Sequence, residues 1–114
     1  MTLQTIIDKL GLTVLTELKN FTDVETGSGY ASDLLSCVMA GGKQKGVWVT
    51  LQAHGNIVAV AALLDLSAVV ITENAQPDPG TIAKANEQSI TLLSTPESTF
   101  AVVGKLWELG LRDN

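Results

Sequence analysis

At 114 residues, 46% hydrophobic and 17% charged, the chain has the length of one ordinary domain and enough apolar content to bury a core, which argues against disorder. Twelve acidic residues against seven basic ones leave a net charge of -5. Nucleic acids and anionic membranes require clustered Lys and Arg, and the longest basic grouping is Lys43-Gln44-Lys45, so both partners are disfavoured.

Leu3, Ile6, Ile7 and Leu10 recur at helical spacing, and Gly11 follows as a C-cap. The early Asp8 and the missing basic segment argue against a signal peptide. Residues 13–18 (TVLTEL) read as a strand, and 20–29 (NFTDVETGSG) as a polar, glycine-rich loop. Residues 30–39 read as a short helix with Leu34, Leu35 and Val38 on one side, ended by Gly41-Gly42. Cys37 is then a small apolar group on that helix, with no partner for a disulfide. One Cys and one His do not assemble a zinc site, and no metal or cofactor is expected.

The second half is more regular. Strands are expected over 47–51, 67–72 and 90–93, and helices over 56–65, 79–87 and 96–109. Asp78-Pro79 and Thr95-Pro96 each place a capping side chain before a proline suited to the first helical position. Asn56 or His54 can cap the helix over 56–65 that precedes both. Short connections and strict alternation predict a three-layer α/β/α domain with a mainly parallel sheet, spanning residues 1–114. The most apolar stretch, 57–71, is interrupted by Asp65 and Ser67. It falls short of the roughly 20 residues of a spanning helix, so the expectation is a soluble cytoplasmic protein.

Two helices carry more apolar surface than one sheet covers. Residues 57–64 read IVAVAALL, apolar all round. In the last helix Phe100, Val103 and Trp107 are expected to face the sheet, leaving Val102, Leu106 and Leu109 on a second face. Either the N-terminal helix covers these faces or a second copy does. A two-fold dimer is the preferred expectation. Trp48 and Trp107 read as core or interface residues.

Ligands of open α/β sheets bind beyond the carboxyl ends of the strands. Here that edge collects Gln52, His54 and Asn56, then Thr72 and Glu73, then Ser94 and Thr95. The glycine-rich turn at 26–30, with Tyr30 and Asp33, is a further contributor. Together they outline a candidate small-molecule or anion site. His54 is capable of general-base work with Asp33 or Glu73 behind it and Ser94 or Thr95 as nucleophile. No Gly-x-Ser-x-Gly elbow supports that chemistry, and Gly27-Ser28-Gly29 is neither a phosphate loop nor a dinucleotide fingerprint.

GYASDLLSCVM, VWVTLQAHGNIVAVAALLDLSAVVIT and ITLLSTPESTFAVVGKLWELG resemble the DRTGG domain family, over residues 30–110. They are most similar to its small stand-alone bacterial members, and to the N-terminal domain of HPr serine kinase/phosphorylase. The resemblance implies a MurF- and HPr-kinase-N-terminal-domain-like fold that is non-catalytic and often dimeric. It implies a regulatory appendage, sometimes beside nucleotide-sensing CBS domains. It carries no kinase activity, because the phosphate-loop domain of that enzyme has no counterpart here. The string Asp-Arg-Thr-Gly-Gly does not occur. Thr72-Glu73-Asn74 stands where many members have Thr-Gly-Gly, and Glu73 would repel phosphate. The resulting expectation is a regulatory or ligand-sensing module, with a nucleotide-like molecule as the candidate ligand. A protein-docking domain and a small hydrolase or transferase using His54 are the alternatives.

Overall fold

A computed structural model describes all residues, 1–114. Five strands form one sheet in the order β1-β5-β4-β3-β2: β1 (Thr13–Val14), β2 (Gly29–Ala31), β3 (Val47–Thr50), β4 (Ala68–Ile71) and β5 (Leu92–Ser94). All adjacent pairs are parallel except β1 with β5. Five helices cover the sheet: α1 (Leu3–Leu10), α2 (Leu35–Gly41), α3 (Asn56–Leu64), α4 (Pro79–Glu87) and α5 (Thr99–Leu109). The expected three-layer α/β/α architecture with a mainly parallel sheet is present.

Every residue of β3, β4 and β5 is buried. Alternate residues of a strand point to opposite faces, and here they feed two separate cores. Val47, Val49, Ala68, Val70 and Leu93 pack with α1 and α5. Trp48, Val69, Ile71 and Leu92 pack with α2, α3 and α4.

Several boundaries differ from the sequence expectation, each for a stated reason. Tyr30 lies in β2 and not in a helix, because Gly29, Tyr30 and Ala31 pair in register with Val47, Trp48 and Val49. Helix α2 therefore starts only at Leu35, and Leu34 is exposed. The strand expected over 13–18 pairs regularly for two residues, at the sheet edge. Beyond it the Leu15 N–H still donates to the Leu92 carbonyl, but Leu18 points to solvent. The last strand runs one residue further than expected, through Ser94. Thr95-Pro96 does not start α5. Ser98 does, accepting from the Ala101 N–H at 3.1 Å, so Pro96 sits in the preceding loop. At α4 the expectation holds: Asp78 caps and Pro79 is the first helical residue.

The largest correction concerns which side of α5 meets the sheet. Val102 and Leu106 are buried, while Phe100 is 90% and Trp107 51% exposed. The stripe expected on the sheet thus faces outward at Phe100 and Trp107, and the second stripe is the buried one. Helix α3 resolves differently. Ile57, Val58, Val60 and Ala61 are all buried, because α2 and α4 flank it and widen the covered arc. Only Leu63 projects as a large exposed side chain, next to Ala59 and Ala62.

This orientation makes a direct prediction. Leu106→Ala should cost about 2–5 kcal/mol in urea unfolding at dilute protein concentration. Phe100→Ala should change stability by no more than about 0.5 kcal/mol. The reverse ranking would show that Phe100 packs on the sheet.

Candidate functional site

The strands of a parallel sheet end at one edge, and there the chain places most of its expected site residues. Their side chains, however, are largely engaged with one another. Asp33 Oδ1 accepts from the Thr50 hydroxyl and from the Leu51 N–H, both at 2.8 Å. The Thr50 hydroxyl oxygen accepts in turn from the Gln52 N–H at 3.0 Å. Gln52 Nε2 donates to the Asp33 carbonyl at 3.2 Å. Asp33 thus ties the end of β3 to the start of α2. Trp48 supports the same turn, donating Nε1–H to the Ser32 carbonyl at 2.9 Å.

The next strand end is tied to α5. Thr72 is fully buried, and its hydroxyl lies 2.6 Å from that of Thr99. Glu73 and Asn74 both adopt the left-handed backbone, with φ of 60° and 59°. Glycine enters this region freely, while other residues pay roughly 1–2 kcal/mol. These are the two positions where the family resemblance places glycines, so the backbone keeps a glycine-like shape with other side chains on it. Glu73 Oε2 accepts from the Thr99 N–H at 2.8 Å, at the N-terminus of α5. A carboxylate is favourable at the positive end of a helix. The anion position at that helix start is therefore held by the chain's own side chain. Ser94 and Thr95 are buried, and Thr95 Oγ1 accepts from the Glu97 N–H at 3.2 Å.

His54 and Asn56 remain exposed. Gly55 is the residue before α3 and Asn56 the first residue within it, so neither expected cap forms in its usual position. Instead His54 Nδ1 accepts from the Asn56 N–H at 3.3 Å. No hydrogen bond joins His54 to Asp33, Glu73, Ser94 or Thr95, so the constellation of the alternative, catalytic reading is not assembled. Its charged neighbour is Asp78, a residue absent from the sequence-derived set. Hydrogen bonds from the Thr81 backbone and side chain hold the Asp78 carboxyl below its ordinary value of 3.8, with smaller help from His54 and Gly80 and some opposition from burial. The Asp-Pro helix start was visible in the sequence; its proximity to His54 was not.

The glycine-rich turn does not join this edge. Residues 26–28 lead into β2, and β2 is parallel to its neighbours, so the turn lies at the opposite edge. There the Gly27 N–H donates to the Lys45 carbonyl at 2.8 Å. The Tyr30 ring is remote from the strand ends and packs over Gly41, where a Cβ would lie 2.5 Å from the ring. No buried side-chain N or O atom lacks a hydrogen-bond partner. No group of three or more His, Cys, Asp or Glu side chains is placed to hold a metal ion. No helix is long and apolar enough to cross a membrane.

The left-handed pair after β4, set between two parallel strand ends, invites comparison with known families. The DRTGG domain model matches residues 35–109. The chain belongs to the DRTGG domain family. This DRTGG domain also resembles a solved structure, that of the CBS and DRTGG domains of the regulatory region of Clostridium perfringens pyrophosphatase, complexed with the activator diadenosine tetraphosphate. The TM-score is 0.74 at 17% sequence identity, covering 92% of this chain and 45% of that one. The likeness establishes the fold, and the chain spans less than half of that neighbour. Comparison with curated proteins finds no match.

Two predictions test the chemistry of this edge. Glu73→Ala should destabilise the domain by about 0.5–2 kcal/mol through loss of the bond to the α5 start. Glu73→Gly loses the same bond but relieves the left-handed strain, so it should be less harmful than Glu73→Ala by about 1 kcal/mol in urea unfolding. Asp78 titrates lower in the folded chain than in the unfolded one. Its contribution is therefore present above the unfolded value and is lost as pH falls through the depressed folded value. Asp78→Asn preserves a capping oxygen and removes that titration. The variant should lose less stability than the parent as pH falls below the ordinary carboxylate value of 3.8, as read by thermal melts at successively lower pH.

Proposed function

We propose that this DRTGG domain is a non-catalytic regulatory module that works through its surface, self-associating and responding to a small-molecule or protein effector. The observation that carries this reading is the contrast between its polar and apolar groups. Asp33, Thr72, Glu73 and Thr95 already bond within the chain. A hydrolase or transferase needs a nucleophile and base within reach of each other, and His54 has neither Ser94 nor Thr95 as a partner. Large apolar side chains, in contrast, stand in solvent: Phe100, Leu63, Leu34 and Trp107. Scattered exposed residues need no explanation, but aromatic rings on one helix face mark interaction surfaces.

Family membership and the regulatory setting of the structural neighbour support the same reading. A nucleotide-like effector is the ligand class we favour. At the strand edge it would first meet His54 and Asn56, the exposed members of the candidate set, with Gln52 beside them. Glu73 disfavours a phosphate close to the start of α5, so the contacts would lie nearer α3.

Thermal-shift measurement with diadenosine tetraphosphate and mononucleotides as probes tests the sensing role. A binder at 100 times its Kd should add about 2.7 kcal/mol of stability and raise Tm by several degrees. His54→Ala should abolish the shift without lowering the unliganded Tm by more than a degree or two. A flat response across the panel would exclude nucleotide sensing and leave protein docking as the function.

A further inference from the structure

Three features coincide on one side of α5. Phe100, Val103 and Trp107 form an apolar stripe, and the rings are 90% and 51% exposed at Phe100 and Trp107. At 3.6 residues per turn this stripe is rotated roughly 110° from the buried Val102 and Leu106. Gly104 falls on the same stripe, and a Cβ built there would meet nothing within 4 Å. Alongside runs a groove of about 300 Å³ between α5 and the edge strand β2, walled by Ala31, Val49, Val103 and Leu111, with Arg112 and Asp113 at its charged rim.

Arg112 stacks over the Trp107 ring at 4.2 Å from its centroid, but nothing within the chain covers Phe100 or requires the missing side chain at Gly104. Glycine inside a helix costs roughly 0.5–1 kcal/mol against alanine, and here no neighbour requires the missing side chain. An open glycine does allow a second backbone to come close, near the lower end of the roughly 8–10 Å range of helix separations.

We propose that this face of α5 is the site of self-association, with a second copy of the chain as its occupant; the inference rests on the self-association proposed above. The face is self-complementary. A projecting ring, Phe100, lies one turn before Gly104, and a half-open ring beside a groove, Trp107, lies one turn after it. A two-fold axis near Gly104 lays the two α5 helices antiparallel. Each Phe100 then meets the partner's Trp107 and groove, and the contact occurs twice. A different protein would use the projection or the hollow; a second copy uses both at once.

The area is consistent with a stable pair. Phe100 and Trp107 together expose roughly 300 Å² per copy, taking a fully exposed ring side chain as about 200 Å². The four rings supply about half of the roughly 1,200 Å² at the lower end of specific interfaces. The groove walls and the flanks of the two helices supply the remainder. Leu63, the exposed leucine of the opposite layer, stands among alanines and offers one side chain.

Sedimentation equilibrium of the 114-residue chain and three variants tests the proposal. The parent should be dimeric at micromolar concentration. Phe100→Ser and Gly104→Leu should each weaken the dimer at least tenfold, with unchanged circular dichroism, since neither site is packed within the protomer. Leu63→Ser should leave the dimer intact. In a Trp48→Phe background, Trp107 fluorescence should shift to the blue as concentration rises through the dimer Kd. A dimeric parent with unaffected Phe100→Ser and Gly104→Leu variants would overturn the α5 interface and leave self-association standing. Dissociation caused by Leu63→Ser alone would move the interface to the α3 layer. A parent that stays monomeric at hundreds of micromolar would overturn both self-association and its location.

Discussion

Strands buried on both faces impose two helical layers on this chain. Every residue of β3, β4 and β5 is buried, so each face of the sheet needs its own apolar cover. Parallel pairing also forces a crossover between successive strands; because these step along the sheet in one direction and share one hand, α2, α3 and α4 lie on a single face, and α1 and α5, which connect no parallel pair, cover the other. The two clusters, one against α1 and α5 and one against α2, α3 and α4, follow from that constraint. So does the edge geometry. Strands that run the same way end together, and the polar groups after each must be accommodated side by side.

That edge has the position of a ligand site and is wired largely as a brace. Asp33 ties the turn after β2 to the end of β3. Thr72 and Glu73 tie the end of β4 to the start of α5. These bonds satisfy groups that would otherwise be buried without partners, which is costly. A carboxylate in place of one of two glycines turns a possible anion cradle into an internal cap. The exposed groups, His54 and Asn56, lie to one side at the start of α3. The domain thus presents a narrow polar rim at this edge and a broader apolar face along α5.

Much of this was legible in the residues. Asp78-Pro79 placed the α4 start without error, because cap and proline act locally. Gly11 ended α1 in the left-handed backbone for the same reason. The family resemblance likewise rested on local strings. Errors arose where a choice depended on remote partners. Tyr30 and Ala31 are compatible with a helix until β3 is available to pair with them. Thr95-Pro96 resembles a helix start, yet Ser98 is the cap. The glycine-rich turn seemed to belong with the other loops until the direction of β2 placed it at the far edge.

By itself, then, the sequence determined the layered α/β class, the helices with explicit caps, the positions of β3 and β4 and the family. Each depends on periodicity or on contacts within a few residues. The tertiary structure alone decided which stripe of α5 is inside. Both stripes are apolar, so periodicity carries no preference between them; the docking of α1 and the sheet against Val102 and Leu106 does. It likewise decided that Asp33 and Glu73 serve as braces and that His54 has Asp78 as its neighbour, because those pairings join residues 17 to 26 positions apart or brought together across the sheet edge. Side chains with several possible partners acquire a role only when the fold selects one.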